Sequence, residues 1–185
     1  MMQERSNLIL NLRKIDKFWL SGGWQNVIPE GDIAQLKANR IKAVLDLQFL
    51  PAERNSQYEK DNLAAQKFLF DVLKKHGIEY AMLPIADDEY NDDLEGIFNA
   101  GHEFLSAMEE KYPDKRDAIL VKCGAGVSRS ASMLINHLCE TRRMSYVEAL
   151  NYVRDKESAY VEFGASPHPF FAKFLKGKFK DNTYV

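Results

Sequence analysis

The 185-residue chain has little cysteine, only Cys123 and Cys139. Two thiols cannot build a disulfide framework, so the core must hold the fold. A reducing, cytoplasmic setting is expected, in which a thiol can do chemistry. One-sided charge is also missing. Basic minus acidic side chains is 25 − 27 = −2, which argues against nucleic acid or an anionic membrane as partner of the surface as a whole. No apolar run approaches the roughly 20 residues of a membrane span. The opening residues MMQERSNLIL carry a charge pair and then only a short apolar stretch, so no signal peptide is expected. Repeats and low-complexity segments are absent as well. What remains is ordinary globular usage, 45% hydrophobic and 28% charged, in a length that predicts one domain over residues 1–185 with a single core.

Apolar runs and alternation predict strands at Phe18–Leu20, Ile41–Leu47, Ile78–Ile85 and Ala118–Val121. Helical spacing falls between them. Ile33, Leu36 and Lys37 lie on a short element ended by Asn39. Ala65, Phe68, Leu69, Val72 and Leu73 make the face of a longer one, closed by Gly77. Leu94, Phe98, Gly101, Leu105 and Met108 line a third, followed by Pro113. Ser145 and Glu148 form a capping box that opens a helix expected to bury Val147, Leu150 and Val153. A last helix from about Pro169 to Leu175 offers Phe170, Phe171 and Phe174 to the core. Strands alternating with helices predict an α/β fold, a central, mostly parallel sheet with helices on its faces.

Two charge features stand apart. Lys173, Lys176, Lys178 and Lys180 read as solvated surface. The acidic run Asp87, Asp88, Glu89, Asp92, Asp93 and Glu95 begins where a predicted strand ends. Ligands bind at such ends in open α/β sheets.

The chemistry concentrates in Ala118-Ile-Leu-Val-Lys-Cys-Gly-Ala-Gly-Val-Ser-Arg-Ser130, which reads as a buried strand, a tight loop and a helix start. That arrangement turns backbone N–H groups toward one point, with a helix N-terminus behind them, and suits a phosphate-like oxyanion. Gly124 and Gly126 let the backbone turn closely, and Ala125, Val127 and Ser128 complete the cradle. The same field would stabilise a thiolate at Cys123 and make it a nucleophile. Arg129 can hold two phosphoryl oxygens and stabilise transition-state charge. Ser130 can direct its hydroxyl at the sulfur and stabilise it as a leaving group. A lone cysteine is more often a packing residue, and Cys139 beside Leu138 is read that way. The joint pattern Cys-x5-Arg-Ser between an apolar strand and an amphipathic helix singles out Cys123.

Cys123-Gly-Ala-Gly-Val-Ser-Arg-Ser130-Ala131 closely resembles the signature loop of the dual-specificity branch of the cysteine-dependent protein tyrosine phosphatases. Phe18-Trp-Leu-Ser-Gly22, Leu36 through Leu47, Leu83-Pro-Ile-Ala-Asp87, and Met144 through Arg154 also resemble that family, so the likeness spans about residues 11–176. The resemblance implies two steps without metal or other cofactor. Cys123 attacks the phosphorus of a phosphomonoester to give a phosphocysteine while an aspartic acid protonates the leaving oxygen, and water then releases phosphate. The strand-end match assigns the acid to Asp87, whereas a count back from Leu94 favours Asp88. Asp92 and Asp93 open the next helix, where acidic residues suit the dipole.

Two departures from the family stand out. Lys122 replaces the usual histidine before the cysteine, and residues 49–76 form a longer connection than compact members use, whose helix packs beside the site or covers the sheet. His76, His102, His137 and His168 lie elsewhere in the sequence and read as surface or core. The loop interior carries no lysine or arginine, and the acidic run would repel a polyanion. Phosphorylated Tyr, Ser or Thr in protein is therefore the expected substrate. A weakly active phosphate-binding module, or a phosphatase of phosphoinositides or phosphoglycans, remains open as an alternative. Oligomeric state is not legible.

Overall fold

Each of the four expected strands forms within a residue of its expected ends, and a fifth precedes them. A computed structural model describes residues 12–23, 28–48, 56–86, 93–157, 164–180 and 182. Along the chain these run β1 (Arg13–Ile15), β2 (Phe18–Ser21), α1 (Glu30–Ala38), β3 (Ile41–Gln48), α2 (Ser56–Lys75) and β4 (Glu79–Ile85). There follow α3 (Leu94–Lys111), β5 (Ala118–Lys122), α4 (Arg129–Arg142), α5 (Tyr146–Lys156) and α6 (Pro169–Lys178). The sheet order is β1-β2-β5-β3-β4, with β1 antiparallel to β2 and the other pairs parallel. The expected α/β fold is the fold found.

β1 escaped the sequence reading because three residues are too few to show a period. Its hairpin to β2 turns on Asp16, at φ 56, a left-handed position that aspartate tolerates. The Asp16 carboxylate accepts the Tyr152 hydroxyl and lies 3.3 Å from Lys156 Nζ, so the turn is tied to α5.

β5 is buried at every residue, and both its neighbours run parallel to it. Its unbroken apolar run is what a strand covered on both faces requires. Ile119 and Val121 enter a core built with α3, α4, α5 and α6, while Ala118 and Leu120 face a second core under α1 and α2. In the first, Phe98 stacks on Phe174 at 5.5 Å and meets Phe171 edge-on at 6.2 Å. Fully burying each such side chain contributes roughly 1.5–3 kcal/mol before entropy is counted.

Several helix faces differ from expectation. On α2, Leu69 and Leu73 are buried with Val44 and Ile78, so this helix covers the sheet. Phe68, expected on that face, is 47% exposed, and the side chain of Ala65 lies outside the described residues. On α5 the capping box forms, with Glu148 Oε2 accepting from Ser145 N at 2.8 Å and Ser145 Oγ from Glu148 N at 3.3 Å. Its buried stripe is Tyr146, Ala149 and Val153, and Val147 is 54% exposed. Both stripes of this helix are apolar, and the one carrying the larger ring turned inward. Asp93 caps α3 by accepting from Gly96 N at 2.8 Å, as expected of it, while Asp92 lies outside the described residues. Cys139 is core packing, and burial pushes its thiol up to about 12. His137 is buried edge-on to Phe18.

Candidate active site

β5 ends at Lys122 and α4 starts at Arg129, so residues 123–128 form the connection at the carboxyl end of the sheet. The end of β2 holds this loop from the side. Cys123 N donates to Ser21 O at 3.1 Å, and Gly23 N donates to Gly124 O at 3.1 Å. The fit is tight: a Cβ on Gly22 would stand 2.6 Å from Gly124 O, and one on Gly126 would collide with the backbone of Ser21 and Gly22. Gly126 also has φ 77, the left-handed region that only glycine enters cheaply.

Within the loop, the Gly126 N–H donates to Cys123 Sγ at 3.2 Å, and Ser130 Oγ lies 3.5 Å from the same sulfur. Cys123 is 1% exposed, so its sulfur forms the floor, whereas Gly124 and Ala125 are exposed at the rim. The Arg129 guanidinium lies against Gly124. A Cβ on Gly124 would sit 3.0 Å from Arg129 Nη2, so the absence of a side chain there makes room for the guanidinium. Arg129 Nη1 donates to Ile85 O, the last carbonyl of β4, at 3.1 Å. Val127 and Ser128 are tied to scaffold: Val127 O accepts from Ser166 N and Ser128 Oγ from His168 N, each at 3.1 Å. Ser130 is thus brought to the Cys123 sulfur, and Arg129 to Gly124 of the same loop. Asp87 and its rival Asp88 lie outside the described residues, as does Glu89.

Two sets of neighbours were missed in the sequence. Lys122 is buried, and its Nζ donates to Asp46 Oδ2 at 2.8 Å and to Gln48 Oε1 at 3.1 Å. Burial pushes this ammonium below the ordinary lysine range, and Asp46 and Cys123 oppose that shift. The cation in the histidine's place is therefore held by a carboxylate. Asp46 had a signal, an acidic residue inside the apolar run Ala43-Val-Leu-Asp-Leu47, since buried carboxylates need a partner. The second set is Arg13 with Glu157. The Arg13 guanidinium donates to Gly126 O and to Glu157 Oε1, the latter at 2.6 Å, with both side chains 4% exposed. Burial lowers the Arg13 pKa, against the raising influence of Glu157 and Cys123. No local pattern announces either residue.

Chemically, the loop offers a sulfur that accepts a backbone N–H, a guanidinium beside Gly124 and the first turn of α4 directly after it, groups of the kind that stabilise an oxyanion. Among the described residues, no group of three or more His, Cys, Asp or Glu is placed to share a metal ion, and no helix is long and apolar enough to cross a membrane.

Residues 26–164 match the family model for the dual specificity phosphatase catalytic domain. Over 80 residues the chain is 29% identical to dual specificity protein phosphatase 1 of Mus musculus, covering 43% of this chain and 20% of that protein. It thus spans about a fifth of the length of the curated relatives it matches. Among solved structures, the human tyrosine phosphatase-like serine/threonine/tyrosine-interacting protein is similar with a TM-score of 0.63 at 19% identity, covering 92% of this chain and 96% of that one. The Cydia pomonella PTP-2 phosphatase is similar with a TM-score of 0.59 at 21% identity, covering 90% and 89%. These likenesses establish the fold.

Proposed function

Since the chain belongs to the family of dual specificity phosphatase catalytic domains, we propose that it hydrolyses phosphomonoesters through a phosphocysteine on Cys123. The observation that carries this reading is the Gly126 N–H on the Cys123 sulfur with the Arg129 guanidinium against Gly124 of the same loop. In the first step the thiolate forms an S–P bond as the P–O bond breaks, and the Asp87 carboxylic acid gives its proton to the leaving oxygen. In the second, water attacks phosphorus, the Asp87 carboxylate takes its proton, and the S–P bond breaks to return thiolate and release phosphate. Arg129 and the amides of residues 124–128 stabilise the equatorial oxygens, and Ser130 stabilises the departing sulfur. Acid–base transfer of this kind contributes about 100- to 10,000-fold.

The uncharged loop interior, Gly124 to Ser128, supports phosphorylated Tyr, Ser and Thr in proteins over polyphosphorylated head groups as substrate. A free thiol at the reaction centre suits a reducing compartment such as the cytoplasm, and both cysteines are free. One domain over 1–185 fits a core that joins Ile15 of β1 to Phe171 and Leu175 of α6. The competing reading, a phosphate-binding module with little turnover, draws on the deep burial of Cys123.

Hydrolysis of p-nitrophenyl phosphate by wild type and Cys123→Ser separates the two. Turnover without added metal, blocked by vanadate and abolished in the variant, is expected. Activity that survives the substitution would end the cysteine mechanism, and vanadate binding without turnover in wild type would favour the binding module. Asp87→Asn should cut turnover and flatten the pH profile, with Asp88→Asn nearly silent; the reverse would exchange their roles.

A further inference from the structure

The turn that aims an amide at the sulfur is made by Gly126, the residue type least able to hold a conformation by itself. Its N–H donates to Cys123 Sγ, 3.2 Å away, and its carbonyl accepts from the buried guanidinium of Arg13. With the carbonyl held, the torsions of Gly126 are no longer free to swing the N–H off the sulfur. Arg13 is itself oriented by Glu157 Oε1 at 2.6 Å, and Glu157 Oε2 accepts from Ala165 N at 2.6 Å. Residue 157 closes α5, whose Tyr152 and Lys156 grip the Asp16 turn of the hairpin that carries Arg13. The cation, its carboxylate and the strand on which it stands therefore form one closed frame behind the loop. Residue 13 lies outside the span 26–164 that the family model covers.

We propose that Arg13, held by Glu157, is a positioning residue of the phosphate loop: it keeps the Gly126 amide on the Cys123 sulfur and adds a buried positive charge behind the thiolate. This inference rests on the phosphatase reading for its consequence in catalysis, although its effect on the thiol can be read without turnover. A buried hydrogen bond to a charged group is the interaction lost when Arg13 is removed.

The test compares wild type, Arg13→Met, Arg13→Lys and Glu157→Gln by two measurements. The first is the rate of Cys123 carbamidomethylation by iodoacetamide against pH, followed on the Cys123 peptide by mass spectrometry. Cys139, with its thiol pushed up to about 12, stays silent in this assay. The second is p-nitrophenyl phosphate kinetics. Arg13→Met should move the alkylation midpoint upward by about one pH unit and lower kcat about 10- to 100-fold, with KM changing less. Arg13→Lys, which keeps the charge, should restore most of the midpoint, and Glu157→Gln should shift it in the same direction as Arg13→Met by less. An Arg13→Met protein with native circular dichroism whose alkylation profile overlays wild type would overturn the proposal. If Arg13→Met does not fold, wild-type profiles for both Arg13→Lys and Glu157→Gln overturn it instead. A wild type without turnover but with a profile that depends on residue 13 would sink the phosphatase reading and leave the positioning role standing.

Discussion

Asp46→Asn should destabilise the fold by about 3–5 kcal/mol at neutral pH, the range for removing one partner of a buried ion pair. The pair in question is Lys122 Nζ to Asp46 Oδ2 at 2.8 Å, with side chains 0% and 2% exposed. Asparagine fills the same space and its oxygen can still accept from Tyr80 and Lys122, but its NH2 then replaces the Oδ1 that accepts from Gln48 N at 3.0 Å, so the change removes the charge together with that hydrogen bond. At about 2.1 cal/mol/K per residue, unfolding entropy for a chain of this length is roughly 0.39 kcal/mol/K, and the melting temperature should fall by about 8–13 °C. The deficit should also depend on pH. Burial lowers the Lys122 pKa, and Asp46 is the largest influence that raises it. With that carboxylate gone the folded pKa drops further below the unfolded value of about 10.4. Between those two values the unfolded chain binds the extra proton, so stability rises with pH. The gap between variant and wild type should therefore narrow as pH climbs from about 7 toward about 10. Urea unfolding of both proteins across that range measures it. A deficit below about 1 kcal/mol, or one that does not change with pH, would refute the reasoning. The double variant Lys122→Met/Asp46→Leu, which removes both charges, should be more stable than Asp46→Asn.

Other positions make separate demands. Gly126→Ala places a Cβ in the backbone of Ser21 and Gly22 at a left-handed residue, and should abolish p-nitrophenyl phosphate turnover. Near-wild-type turnover would show that this turn is not needed for chemistry. Ser145→Ala removes the cap of α5 and should lower stability by about 1 kcal/mol, with a melting shift of roughly 2–4 °C and unchanged kcat. Burial and the neighbouring His137 push His102 below its ordinary value of 6.5. Its contribution to stability is therefore fully present above that value and fades as pH falls beneath it. Denaturation curves for His102→Gln should be flatter than wild type on that acidic side, and parallel curves would contradict the assignment.

The strand, loop and helix around Cys123 were legible because their signals are local. Eight consecutive residues carry the sulfur, the amide donor, the guanidinium and the hydroxyl, and an apolar strand on one side with a periodic helix on the other leaves few ways to connect them. The capping box at Ser145 was legible for the same reason. The face of α5 was not, because Tyr146 and Val147 start two apolar stripes and only the neighbouring β1, α4 and α6 select between them. Phe68 reads as core by spacing yet is exposed: Leu69 and Leu73 fill the core under α2, with Val72 packed at its edge.

The amino-acid order alone determined the alternating architecture and which chemical groups the loop carries, since period and spacing act over a few residues. Tertiary structure decided what holds that loop in shape. Arg13 meets Glu157 across 144 positions and Lys122 meets Asp46 across 76, and no pattern within a window of sequence can pair residues so far apart. Sheet order sets the frame for these meetings: it lays β3 with Asp46 beside β5 with Lys122, and brings Arg13 on β1 to the other side of β5 through β2.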